Sequence, residues 1–231
     1  MHIGHYFSVI KPAIEHGADV LIAEYHAPSS PPIDIDIMYN RIRSFGVGRD
    51  QVILQSRIFN AKLYFRLLSI ARVGELERMT QYMAGDENDA HLLVYPVLMV
   101  HDVAGYDEVM VGEDQAQHLN YARDLLARYN TKFGTYYPNL PEARLVGGRV
   151  MSLTDPTKKM SKSDPKGCLF LDDAPEDIQA KIKAATMTQE GHDNLVKLYR
   201  DLGGGDVIPA QNSVFKPMVA DLLIKTLCRR V

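Results

Sequence analysis

At 231 residues, with 46% hydrophobic and 24% charged side chains, the chain is long enough for one sizeable core or one core plus a small appendage, and it excludes a tail or linker. The formal net charge of −3 gives no sign of nucleic-acid binding, although a local basic face can sit on an acidic whole. Two cysteines, Cys168 and Cys228, with no CxxC and no dense His/Cys cluster, argue against a disulfide scaffold or a structural metal and fit a reducing compartment, so the cytoplasm is expected.

The N-terminus opens Met1-His2-Ile3-Gly4-His5 with no basic segment leading into an apolar one, and no stretch approaches ~20 apolar residues, so no targeting sequence and no membrane span are expected. Apolar residues at 6, 7, 9, 10, 13 and 14 recur at helical spacing, interrupted by Pro12, with Gly17 placed as a C-cap. This predicts a helix over residues 4–15 whose first turn carries the two histidines. Residues 18–27 suit a short buried parallel strand, broken by the Pro- and Ser-rich stretch 28–32. The alternation continues with a helix over 35–45, a strand over 51–55, a helix over 61–71, a helical run over 94–103 and a strand over 109–111. Strands alternating with helices predict an α/β fold, a Rossmann-like parallel sheet flanked by helices.

After Glu113 a long helix runs to Asn130, then a Pro- and Gly-bearing connector to Gly148 and a loop dense in Lys and Ser over 154–166. Helices are predicted over 176–185, 195–202 and 214–227. The boundary expected near 172–175 separates a catalytic domain, 1–174, from a small helical C-terminal region, 175–231.

Three segments carry the chemistry. His2-Ile3-Gly4-His5 stands at a helix start, where free backbone N–H groups and the positive end of the helix dipole favour phosphate. Glycine there admits a base or ribose against the backbone, and two imidazoles can donate to phosphoryl oxygens. Alone, the pair also reads as a surface pair, an adventitious metal site or a cap. Lys158-Lys159-Met160-Ser161-Lys162-Ser163-Asp164 is a breaker-bounded cationic loop able to neutralise a departing pyrophosphate. Taken alone, it is equally a solvated charge run or a basic patch for nucleic acid. Val111-Gly112-Glu113-Asp114-Gln115 ends a strand and opens a helix, the crevice where parallel sheets collect ligands. By itself that is also a plain capping sequence. No GxxxxGK[ST] and no GxGxxG occurs, so a P-loop and a dinucleotide fingerprint are excluded.

HIGH followed far downstream by KMSKS, on an alternating α/β chain, resembles the class I aminoacyl-tRNA synthetases. Within that class the GEDQ of residues 112–115, the run Glu75-Leu76-Glu77-Arg78-Met79-Thr80-Gln81-Tyr82 and the element Tyr95-Pro96-Val97-Leu98-Met99-Val100-His101-Asp102 resemble the tryptophanyl enzymes. Tyrosyl enzymes of bacterial type usually carry serine at the second position of GEDQ. Tyr95, Met99 and Asp102 fall on one helical side; by spacing alone such a stripe reads more readily as core, and the resemblance implies a flat thioether surface with a carboxylate beside it, which suits an indole whose ring N–H needs an acceptor.

The resemblance implies ATP-dependent activation of tryptophan to its adenylate and transfer to tRNA(Trp), with Mg²⁺ and a homodimer. It assigns His2, His5, Lys159 and Lys162 to catalysis, and Gly4, His5, Asp114, Val150, Met151, Lys159, Met160, Ser161 and Lys162 to ATP. It assigns His26, Tyr95, Met99, Asp102, Val109, Val111 and Gln115 to the amino acid, and no metal ligands. The chain departs from the family pattern at three places. The chain starts one residue before HIGH where the family has a preceding strand, so either the natural protein begins upstream or the site is incomplete; the position after the RMTQ-aromatic run is Met83 where the family usually has Lys, and the helical region after Ala185 is short. These departures motivate the competing expectation of a synthetase-like binding or regulatory protein, or one that adenylates without charging tRNA.

Overall fold

A computed structural model describes residues 1–26, 34–84, 89–147 and 149–228, without the side chains of His26 and Asp114. The Pro/Ser break at 28–32, the end of the strand predicted to residue 27, and Gly148 lie outside the described residues. The chain divides into two compact units, the first comprising Met1–Ala18, Asp36–Gln51 and Gly147–Val231, the second Asp19–Ile35 and Val52–Val146.

In the first unit the N-terminal helix is one continuous helical run in three registers: an α turn at Ile3–His5, a π turn at Tyr6–Ile10 and an α-helix at Lys11–His16. Pro12 has no N–H to return to the Ser8 carbonyl. The ladder therefore widens, and the Lys11 N–H reaches back to Tyr6 instead. Gly17, at φ 62°, ends the helix in the left-handed conformation. The run starts one residue before the predicted position, and His2 is its N-cap rather than part of its first turn.

The helix Ile35–Arg43 follows in the same unit, stopping two residues short of the predicted end. The C-terminal helices are Pro175–Ala184, Gln189–Asp201 and Asn212–Leu227. They pack through Ile178, Ile182, Leu198, Phe215, Val219 and Leu223, each at most 2% exposed. Lys216 donates to the carbonyls of Lys183 and Ala185, both at 2.8 Å, and so satisfies the end of the first of these helices.

The second unit holds the four strands found among the described residues. β1 (Val20–Ile22) pairs parallel with β2 (Val52–Leu54), Val20 opposite Val52. β3 (Glu108–Val111) pairs parallel with β4 (Glu142–Leu145). Parallel pairing throughout is what the alternation of strands and helices required. The expected strand over 18–27 is cut to three residues because side chains take over the ladder's work. Gln55 Oε1 accepts the Tyr25 N–H at 2.7 Å and Glu24 accepts the Ser56 N–H at 2.7 Å, while residues 24–26 form a 3-10 turn. For the same reason the strand expected over 51–55 ends at Leu54 and Gln55 begins a short helix.

The Pro- and Gly-bearing connector contains β4, missed because Glu142-Ala143-Arg144-Leu145 is exposed along its length and shows no apolar alternation. Helix Ala61–Leu68 ends earlier than expected, whereas helices Ala90–Val103 and Ala116–Phe133 extend beyond their predicted bounds. They bury Val97, Val100, Leu119, Ala122, Leu125 and Leu126 at zero exposure, the centre of this unit's core. Among the described residues no helix is long and apolar enough to cross a membrane.

Candidate functional site

The two histidines of the first unit cap their helix reciprocally. His2 Nδ1 accepts the Gly4 N–H at 3.0 Å, while His5 Nδ1 lies 3.3 Å from both the His2 N–H and the His2 carbonyl oxygen. This is a capping box built from imidazoles in place of a hydroxyl and a carboxylate. The rings meet edge to face with centroids 4.3 Å apart. The His2 ring folds over Gly4, where a β-carbon would come within 2.6 Å of His2 Cε1, so any larger residue there would push the ring aside. Since His2 Nδ1 accepts, the proton of its neutral ring sits on Nε2 and points away from the helix.

Lys158-Lys159-Met160 lies antiparallel to Val150-Met151-Ser152. The Met160 N–H donates to the Val150 carbonyl and the Ser152 N–H to the Lys158 carbonyl, both at 2.9 Å, and Met151 bridges Lys159. Met160 and Val150 are buried at 3% and 6% exposure, so they anchor the arm. Lys159, Ser161 and Lys162 are exposed beyond it. Asp164 closes the loop, accepting from the Thr154 hydroxyl at 2.8 Å, the Ser152 hydroxyl at 3.1 Å and the Gly167 N–H at 3.2 Å. Those three bonds hold its carboxyl below the usual range. Lys158 is committed elsewhere, to Asp155 at 2.8 Å.

The chain leaving this loop returns to the helix start. The Ile3 N–H donates to the Leu169 carbonyl at 2.9 Å, the Leu171 N–H donates to the Met1 carbonyl at 3.2 Å, and His2 bridges Phe170. The start of HIGH is thereby joined by backbone pairing to the segment that follows KMSKS, inside one unit. The electrostatics report the same proximity. Burial, then His5, Lys162 and Lys159, push the His2 imidazole down to about 4, and burial followed by Lys162 lowers His5. Both rings are therefore neutral donors at neutral pH, and the positive charge belongs to Lys159 and Lys162. Neutral donors at a helix start, with two ammonium groups beside them, have the chemistry of a polyanion site.

In the second unit, Tyr95, Met99 and Asp102 lie on the helix Ala90–Val103. Met99 packs with Val109 and Val111 of β3 against the unit's core. The Tyr95 ring sits 5.7 Å from that of His118. Gln115 ends a 3-10 turn at Glu113–Gln115 and caps the helix Ala116–Phe133. Asp114 lies in that turn and His26 in the turn at Glu24–His26, their side chains outside the described set.

Asp102, 5% exposed, accepts from Gln55 Nε2 at 2.6 Å and from His101 Nδ1 at 3.0 Å. Neither Gln55 nor His101 carries a role in the sequence reading. Gln55 reads as the end of a strand, and His101, next to Asp102 in the chain, does not share its helical face. A third such residue is Asn194, whose amide pairs both ways with the Met151 backbone.

The family model for tRNA synthetases class I (W and Y) matches residues 1–204. A Bacillus anthracis protein named tryptophan–tRNA ligase is 40% identical over 82% of this chain and 64% of its own length. One from Oceanobacillus iheyensis with the same name is 35% identical over 97% of this chain and 81% of its own. The crystal structure of tryptophanyl-tRNA synthetase from Mycoplasma pneumoniae superposes with a TM-score of 0.80 at 28% identity, covering 99% of this chain and 82% of that one. The fold is thus that of an α/β class I synthetase catalytic region. The chain belongs to the class I tRNA synthetases of the tryptophanyl and tyrosyl family. It spans about two thirds, 64%, of the length of the Bacillus anthracis relative.

Proposed function

We propose that this chain activates tryptophan with ATP to the aminoacyl-adenylate and passes the aminoacyl group to tRNA(Trp). The observation that carries the reading is the return of the segment after KMSKS to the start of HIGH: the Ile3 N–H on the Leu169 carbonyl, with Lys162 and Lys159 close enough to depress the HIGH histidines. The two named relatives supply the amino acid.

In this mechanism the tryptophan carboxylate attacks the α-phosphorus in line, and pyrophosphate leaves. The protein provides positioning and charge stabilisation rather than a covalent nucleophile. His2 donates from Nε2 and His5 from its imidazole to phosphoryl oxygens, while Lys159 and Lys162 stabilise the charge that develops on the leaving pyrophosphate. Gly4, Val150, Met151, Met160 and Ser161 border the nucleotide, and Asp114 contacts the ribose. His26, Met99, Val109 and Val111 line the amino-acid pocket, Tyr95 and Gln115 take the ammonium group, and Asp102 accepts the indole N–H. Mg²⁺ arrives with the triphosphate, since Mg²⁺ is usually held by substrate phosphates. Among the described residues no group of three His, Cys, Asp or Glu side chains is placed to hold a resident ion. Residues 175–231 serve as a tRNA-reading region following the catalytic domain, residues 1–174, and the working form is a homodimer.

Tryptophan-dependent exchange of labelled pyrophosphate into ATP tests activation, and loading of tRNA(Trp) tests transfer. A protein that shows neither is not a synthetase. Exchange without loading favours the second reading, adenylation without charging.

A further inference from the structure

Gln55 and His101 both donate to Asp102, and each of those donors is itself oriented by a backbone N–H, a group that can only donate. The Asn60 N–H lies 2.9 Å from His101 Nε2. That nitrogen must present its lone pair, so the single proton of a neutral imidazole sits on Nδ1, aimed at Asp102 Oδ1 at 3.0 Å. The Tyr25 N–H lies 2.7 Å from Gln55 Oε1. That fixes which way the amide faces and leaves Nε2 to donate to Asp102 Oδ2 at 2.6 Å.

His101 is 4% exposed and Gln55 is fully buried, so water does not compete for either bond. The rings of Phe59 and Tyr64, with centroids 5.0 and 6.4 Å from that of His101, confine the imidazole. A carboxylate offers about four lone-pair directions, and donors on both of its oxygens set its plane.

We propose that His101, locked as its Nδ1–H tautomer by the Asn60 backbone, is a positioning residue that holds the Asp102 carboxylate in the orientation that selects an amino acid bearing a ring N–H. This rests on the tryptophan reading of the site. Removing the His101 donor frees the carboxylate to turn about its terminal torsion, which is soft. The loss falls on ligands that donate to Asp102, and only on those.

The test is pyrophosphate exchange by the full chain, with tryptophan and with 3-(3-benzothienyl)alanine, whose ring has sulfur in place of the N–H. His101→Phe keeps the ring volume and removes the donor. It should raise KM for tryptophan about tenfold or more, leave kcat and the KM for ATP within about threefold, and cut the preference for tryptophan over the sulfur analogue about tenfold. His101→Asn, which restores a donor at the Nδ1 position, should recover most of that preference. An unchanged preference in His101→Phe overturns the proposal alone. Absence of exchange by the unaltered protein overturns the tryptophan reading and the proposal together. Independently of any variant, the ¹⁵N shifts of His101 in the unaltered protein should show the proton on Nδ1, and an Nε2–H tautomer overturns the lock.

Discussion

The Asn194 side chain pairs with the Met151 backbone on both of its edges: the Met151 N–H donates to Asn194 Oδ1 at 3.1 Å, and Asn194 Nδ2 donates to the Met151 carbonyl at 3.0 Å. A single side chain thus acts as the neighbouring strand for the segment that carries the KMSKS arm. Its helix, Gln189–Asp201, belongs to the C-terminal region, so that region reaches into the candidate nucleotide site.

Asn194→Leu leaves two backbone groups without partners, at a cost of about 1–3 kcal/mol for a buried group. Urea denaturation should show a loss of about 2 kcal/mol. Under the proposed function the KM for ATP should rise several-fold while that for tryptophan is unchanged. An equal rise in both would sink the idea that Asn194 serves the arm.

His2 titrates near 4 in the folded protein, against 6.5 ordinarily, chiefly through burial and then through His5 and Lys162. Between those values the unfolded chain binds the proton and the folded chain does not. The contribution of the neutral ring is therefore complete above about pH 6.5 and is lost as the pH falls towards 4. Lys162→Met removes one positive neighbour, so the ¹H titration curves of both His2 and His5 should move upward while burial keeps them below the ordinary value. Unmoved curves would mean that the lysine does not sit beside HIGH.

Gly167 has no room for a side chain: a β-carbon would fall 2.1 Å from Ser152 Oγ and 2.2 Å from Asp164 Oδ2. Gly167→Ala must displace the Asp164 bonds that close the KMSKS loop. It should lower stability by about 1–3 kcal/mol, the usual range for overpacking, and reduce exchange activity. Wild-type stability in this variant, read by thermal melting, would contradict the loop geometry.

Tyr121 is buried on the helix Ala116–Phe133, and among the described residues its hydroxyl finds no hydrogen-bond partner. Burial pushes this phenol up to about 12. The Arg128 guanidinium lies 6.0 Å from the ring, a contact that phenylalanine preserves. Tyr121→Phe should therefore stabilise the protein by about 1 kcal/mol. A lower melting temperature would reveal a role for the hydroxyl.

Elements with a strong internal pattern were legible from the chain. The apolar spacing of the long helix expected after Glu113, the Gly17 stop and the breakers around 154–166 each act over a few residues, and the structure follows them to within a turn. The weak β4 was not legible, because a strand exposed along its whole length, held by pairing with β3, carries no hydrophobic code. The shortened β1 has the opposite cause. Its apolar run is real, but Glu24 and Gln55 capture backbone donors that a longer ladder would use.

The motifs HIGH, KMSKS and GEDQ are contiguous in sequence, so residue order alone determined the family and the chemical types at the site. Which imidazole nitrogen of His2 faces outward, and that both HIGH rings stay neutral beside two lysines, depended on a helix cap and on Leu169 pairing with Ile3, far away in the chain. The partners of Asp102 likewise come from residues 55 and 101 through orientations set at 25 and 60. A proton's position on a ring is decided by what lies across from it in space, and no local pattern of residues encodes that neighbour.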